Sequence, residues 1–173
     1  MAEGLPKTSA GEGDDDSGAG GDAPGRGTPW YREGLRFECT MCGNCCTGPE
    51  GVVWFTAAEG RAMAAALGIA EADFYRDYAR RLDNRWTLIE RVVERGGRTM
   101  HDCVFLDHER VPGRAVCGVY EARPAQCRTW PFWPENLTSR RAWESAKRRA
   151  PCPGMDTGRL YPASEIRLRG RER

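Results

Sequence analysis

Apolar positions are sparse along this chain, and their spacing marks out a few short elements. Between Ala57 and Leu67 alanines and Met63 dominate, behind Thr56 and Glu59 at capping-box spacing and ahead of Gly68, a residue suited to the position just past a helix end. The pattern predicts a helix over residues 57–67. Phe74, Tyr78 and Leu82 recur at four-residue spacing, which predicts a second helix over about 71–82 with all three on one face. Trp86 to Glu94 mixes β-formers with charges, Gly96-Gly97 offers a turn, and an apolar run resumes from Cys103 to Leu106, so a hairpin is expected here. Ala115 to Tyr120, beyond the Pro112-Gly113 turn, suits a third strand.

Further on, Arg123-Pro124 opens a short helix, since proline is well tolerated at a first helical position, and Cys127 falls at its far end. A final amphipathic segment over about 139–149 places Trp143 and Ala146 three apart and leads into Pro151-Cys152-Pro153-Gly154, a non-helical corner. These elements define an α+β class, a small cysteine-rich domain of short helices and a small antiparallel sheet.

Residues 1–29 are Gly, Asp, Ala and Pro in low-complexity order, including Asp14-Asp15-Asp16, and are expected to form a disordered leader. The ordered domain is expected over 30–161. Arg167, Arg169, Arg171 and Arg173, diluted by Glu165 and Glu172, suggest a basic, solvated tail over 162–173.

Composition changes this picture in one respect. Leu, Ile, Val and Phe number 25 of 173 residues while the net charge is only +1, so the aliphatic core is thin without the charge excess of a disordered chain. Six tryptophans and eight cysteines are the available supplements, the first through buried area and the second through metal cross-linking. Near-neutral charge argues against a general nucleic-acid or membrane-surface binder. No stretch reaches the roughly 18 apolar residues of a membrane span, and no export signal opens the chain, so a cytoplasmic protein with reduced thiols is expected.

The cysteines carry the chemistry. Cys39-x2-Cys42-x2-Cys45-Cys46 packs four thiols into eight residues, and gaps of two let a looping backbone wrap one metal centre. Cys45 and Cys46 are adjacent, and neighbours in an extended chain point to opposite sides, so the two are expected to serve different sites. Cys103, Cys117, Cys127 and Cys152 are too far apart for a local site and must be delivered by the fold. Eight sulfurs fit two four-thiolate sites, one larger cluster, or one site with spare redox-active thiols. One specific expectation is that Cys39, Cys42 and Cys45 share a centre with Cys152, as in ferredoxin runs that add a distant Cys-Pro. Iron, as an iron–sulfur cluster or mononuclear, and zinc are both compatible with these ligands; four disulfides fit a reduced compartment poorly.

Phe105, Tyr120, Trp130, Phe132 and Trp133 surround the later cysteines, as a water-excluding shell or as ordinary core. Arg123 and Arg128 flank Cys127, where a guanidinium could offset thiolate charge or lie on a solvated face. His101 is two residues from Cys103, but eight thiols suffice without it, and His108 sits in a polar turn. No acid–base pair or nucleophile apart from the thiols is identifiable, so an enzyme such as an Fe–S oxidoreductase stays open beside two other expectations, an electron-transfer or redox protein and a zinc-stabilised structural or interaction module without catalytic activity.

Phe37-x-Cys39-x2-Cys42-x2-Cys45-Cys46, Asp102-Cys103-x-Phe105-Leu106, Cys117-x2-Tyr120-x2-Arg123-Pro124-x2-Cys127-Arg128-x-Trp130-Pro131-Phe132 and Cys152-Pro153-Gly154 together resemble the YkgJ-type cysteine-cluster proteins. That family is described as zinc- or iron-chelating, is often labelled an Fe–S oxidoreductase, and shares its cysteine pattern with flagellin lysine-N-methylases. The resemblance spans about 35–161 and implies metal binding at all eight cysteines, with reaction, substrate and protein partner left open. The methylase label transfers poorly, because no glycine-rich cofactor-binding run follows a convincing strand.

Overall fold

The structure, a computed structural model, describes residues 27–172. Apart from residues 27–29, the leader expected over 1–29 lies outside the described residues. In chain order the elements are β1 (Leu35–Phe37), β2 (Thr47–Gly48), β3 (Trp54–Phe55), α1 (Ala57–Leu67), α2 (Glu71–Tyr78), β4 (Ala79–Leu82), β5 (Arg85–Leu88), β6 (Glu90–Arg95) and β7 (Arg98–Cys103). There follow β8 (Leu106–Asp107), β9 (Val116–Cys117), a 3-10 turn at Tyr120–Ala122, α3 (Ala125–Arg128), α4 (Pro134–Leu137), α5 (Arg140–Arg149), β10 (Arg159–Tyr161) and α6 (Ala163–Arg171). Short helices thus alternate with small antiparallel sheets, ordered β1-β10, β2-β7-β6, β3-β5-β4 and β8-β9. The α+β class read from the sequence is the class of the fold.

Helix α1 occupies the expected residues, and both halves of its capping box form: the Thr56 hydroxyl accepts the Glu59 N–H while the Glu59 carboxylate accepts the Thr56 N–H. Helix α2 ends four residues before the expected point. Asp83 and Asn84 take left-handed backbone angles, φ 47° and 60°, which these residue types tolerate, and the reversal folds β4 onto β5 with Leu82 opposite Arg85. Leu82 is consequently on an exposed strand end, not on the helix face with Phe74 and Tyr78.

The expected hairpin is β6–β7, with Arg95 opposite Arg98 across the Gly96-Gly97 turn. Trp86–Leu88 belongs instead to β5, between β3 and β4. The third strand is only Val116–Cys117 and pairs with Leu106–Asp107, outside the hairpin. Pro124 caps α3 and does not occupy its first turn.

Two apolar clusters hold these pieces. Phe55, Met63, Ala64, Phe74, Leu88, Phe105 and Val119 form the first, with Cys103 and Cys117 packed at its margin. Trp130, Phe132, Trp143, Ala146, Cys152, Met155 and Ile166 form the second. The last member corrects the solvated-tail expectation. Residues 163–171 are helical because Ile166 is fully buried and anchors one face, while Glu165 pairs with Arg169 at i,i+4 and with Arg159 of β10. The basic residues dominated the composition, yet one buried isoleucine decides where the segment lies.

Candidate metal centre

Backbone hydrogen bonds between sequence-distant segments deliver the cysteines. Residues 43–46 form a turn closed by the Cys46 N–H donating to the Gly43 carbonyl at 2.8 Å, and β2 then pairs with β7, placing Thr47 opposite Asp102. Where that ladder ends, the Cys103 N–H donates to the Cys46 carbonyl at 2.8 Å. The Ala115 N–H donates to the Met41 carbonyl and the Gly118 N–H to the Phe105 carbonyl, both at 2.8 Å, which brings Cys117 to the same side. Gly43 is required here: its φ is +74°, and a Cβ would stand 2.6 Å from that of Ala115.

Cys127 rides on α3, which is held from two directions. Gln126, buried, accepts the Trp54 N–H at 2.9 Å and donates to the Val52 carbonyl at 2.8 Å. Glu59 reaches over from α1 and accepts the Ala125 N–H at 2.6 Å.

Six thiols, of Cys39, Cys45, Cys46, Cys103, Cys117 and Cys127, line one cavity of about 190 Å³. The other two form a separate pair in which Cys42 acts electrostatically on Cys152. The Cys152 corner is fastened beneath β1: the Glu38 N–H donates to the Gly154 carbonyl at 3.1 Å, and a Cβ on Gly154 would fall 1.8 Å from the Glu38 carbonyl oxygen.

This grouping departs from the opposite orientation expected of Cys45 and Cys46. Cys45 and Cys46 face the same cavity with their sulfurs 3.6 Å apart, because residues 43–46 turn and the alternation of an extended chain does not apply. Of the quartet expected to share a centre, Cys42 does lie by Cys152, whereas Cys45 acts on Cys117 and Cys127.

Electrostatics fit this geometry. The hydrogen bond from Cys46 outweighs burial at Cys45, and with Arg123 nearby its thiol titrates at about 7. Cys46 keeps its proton far more firmly, because its contact with Cys45 and its burial both oppose ionisation. Burial pushes Cys103 up to about 11, with Cys117 and Glu90 adding like charge, and it raises Cys127 and Cys117 as well. Packed thiols of this kind resist ionising together unless a cation stands among them. At Cys152 burial raises the thiol, opposed by the N–H groups of Gly154 and Met155 and by the Trp130 indole. Among the described residues the buried Trp130 Nε1–H has no conventional hydrogen-bond partner, and it acts on the Cys152 sulfur from longer range, an arrangement suited to a thiolate.

The donor set and the orphaned indole N–H therefore fit a thiophilic metal. The sulfurs converge on a cavity rather than a point: among the described residues no three Cys, His, Asp or Glu side chains already stand in a metal-holding group.

His101 and Glu90 line the same cavity, Nδ1 standing 3.7 Å from the carboxylate, which also accepts the Gly51 N–H at 3.1 Å. His108 lies outside it, its Nε2 3.1 Å from Arg95 and 3.5 Å from Asp102. Asp102 is buried, accepts from the Thr47 hydroxyl and from Arg95 at 2.8 Å, and so fastens β2 and β6 to the strand that carries Cys103. Burial alone would raise its pKa, but these donors hold it below the usual carboxylate range. Asp102 had a sequence signal, its adjacency to Cys103; Glu90 and the second role of Glu59 had none.

The fold and the site define a cysteine-rich metal-chelating domain. Residues 38–153 match the family described as "Putative zinc- or iron-chelating domain", whose signature is CxxCxxCC, and the chain belongs to that family. No solved structure matches it. Among the described residues no helix is long and apolar enough to cross a membrane.

Proposed function

We propose that this protein binds iron through its cysteines in a reducing, cytoplasmic setting and uses the centre for electron transfer. The observation that carries the reading is the convergence of six thiols, from the CxxCxxCC loop, β7, β9 and α3, on one cavity. Rotation about χ1 among staggered wells is the adjustment that would aim these sulfurs at a common ion. A cysteine-held iron centre supplies a reversible one-electron couple. The chain's own part is to exclude water with Phe105, Leu88 and Val119, which line the cavity, and to offset thiolate charge with Arg123.

A second reading, zinc as a structural cross-link, is favoured by the shortness of β2, β8 and β9, two residues each, which a metal would tie together. Elemental analysis with a visible spectrum, on full-length protein prepared anaerobically without added metal, separates the two. Iron with a broad band near 400 nm is expected. Stoichiometric zinc with a featureless visible spectrum would give the site to the structural reading.

A further inference from the structure

The thiol cavity has a neighbour. Across a wall made by Cys39, Cys45, Cys127, Tyr120, Arg123 and Trp130 lies a second cavity of about 480 Å³, in the size range of small-molecule sites. Part of its lining comes from β10 and α6, outside the residues that match the family. There Arg159 and Arg169 both lie over the Tyr161 ring, 4.6 and 5.0 Å from its centroid. On the wall shared with the thiols, Arg123 lies over the Tyr120 ring at 3.5 Å. Guanidiniums stacked on aromatic faces can offer planar or tetrahedral oxyanions the N–H groups that Glu165 does not accept.

Charge in this cavity is unbalanced. Arg123, Arg128, Arg159 and Arg169 line it against a single carboxylate, Glu38. Behind the lining, Arg159 and Arg169 share one carboxylate, Glu165, at 2.8 and 3.2 Å, and Arg128 stands 3.8 Å from Glu59. Arg123 donates to the Tyr120 carbonyl and pairs with no carboxylate among the described residues. Arg123 also offsets the charge of Cys45, Cys117 and Cys127, which accounts for one guanidinium. The pair on Tyr161 has the single charge of Glu165 between them.

We propose that this cavity binds a small organic oxyanion, a carboxylate or phosphate ester with a flat apolar body, beside the cysteine-held metal. Arg159 and Arg169 grip the charged end, and Phe37 and Trp130 cover the body. The location beside a metal rests on the function proposed above; the anion site itself does not.

The test is calorimetric titration of the full-length protein, as purified and with its metal content measured, with benzoate, phenyl phosphate and inorganic phosphate. Saturable binding of benzoate or phenyl phosphate, tighter than inorganic phosphate, is expected, and the preferred probe tells a carboxylate from a phosphate ester. The double variant Arg159→Ala/Arg169→Ala should keep its metal and bind at least about tenfold more weakly, the loss of a charge-assisted pair. Arg159→Ala alone, at a largely exposed side chain, should weaken binding in the same direction if the double variant unfolds. No binding at about 10 mM probe, or unchanged affinity in the variants, overturns the proposal. So does loss of metal from the double variant when the wild type binds no probe, because the arginines would then be counter-charges to the thiolates. A wild-type protein that binds a probe through Arg159 and Arg169 but carries no metal would sink the metal reading and leave this one standing.

Discussion

Glu59 accepts the Ala125 backbone N–H at 2.6 Å with one carboxylate oxygen while the other accepts the Thr56 N–H at 2.8 Å. One side chain thus caps the helix on which it sits and the start of the helix that carries Cys127. Burial alone would raise its pKa, but the two backbone donors, the Thr56 hydroxyl and Arg128 bring it below the usual carboxylate range. A depressed folded-state value gives stability that is present above the unfolded pKa and is lost as pH falls through the folded one. Glu59→Gln should remove that acid-sensitive component and cost about 1–2 kcal/mol at neutral pH. Thermal unfolding of both proteins from pH 7 down to pH 3 checks this; parallel curves would show that the contact carries no charge-dependent stability.

Cys42 and Cys152 do not line the cavity that the other six cysteines share. Cys42→Ser and Cys152→Ser should therefore lower bound metal by the same increment, and the double variant by no more than either. Cys103→Ser and Cys127→Ser should form a second class with its own increment. Metal per chain, measured on anaerobically purified variants, decides the grouping; indistinguishable losses across all four would mean a single shared centre.

Gly154 passes directly under the Glu38 carbonyl, 1.8 Å from where a Cβ would sit, so Gly154→Ala must push β1 away from the Cys152 corner. A loss of about 3 kcal/mol or more is expected in denaturant unfolding. Gly51→Ala, where the added carbon meets its nearest neighbour at an ordinary 3.6 Å, is the control and should be close to neutral.

In metal-free protein the half-buried Cys103 thiol is pushed up to about 11, above its ordinary 9.0, chiefly by desolvation. A raised folded-state value means stability that is complete below the unfolded pKa and lost as pH rises through the folded one, here between about 9 and about 11. Metal-loaded protein should lack this alkaline decline, since its ligands are already deprotonated, and metal uptake should release protons. Unfolding midpoints from pH 8 to 11, with and without a chelator, and proton release during titration with metal check both statements.

Local chemistry was legible wherever neighbouring residues decide the outcome. Thr56, Glu59 and Gly68 define α1, α5 falls on the segment expected over about 139–149, and all eight cysteines lie within the residues that match the family. Periodicity misled at Leu82, where the Asp83-Asn84 reversal overrode it, and at Cys45-Cys46, where a turn replaced the extended geometry assumed for neighbours. The contacts of Glu59 with Ala125 and of Asp102 with Arg95 and His108 depend on tertiary approach, which spacing along the chain does not encode.

Ile166 packs with Phe132 and Trp143 although it lies past the last position of the chelating signature, and β1 and β10, which flank that signature, pair with each other. Excising the signature alone would cut away both strands and α6, leaving two large aromatic rings wetted and Cys152 without its apolar surroundings. The smallest autonomous unit therefore runs beyond its own cysteines at both ends.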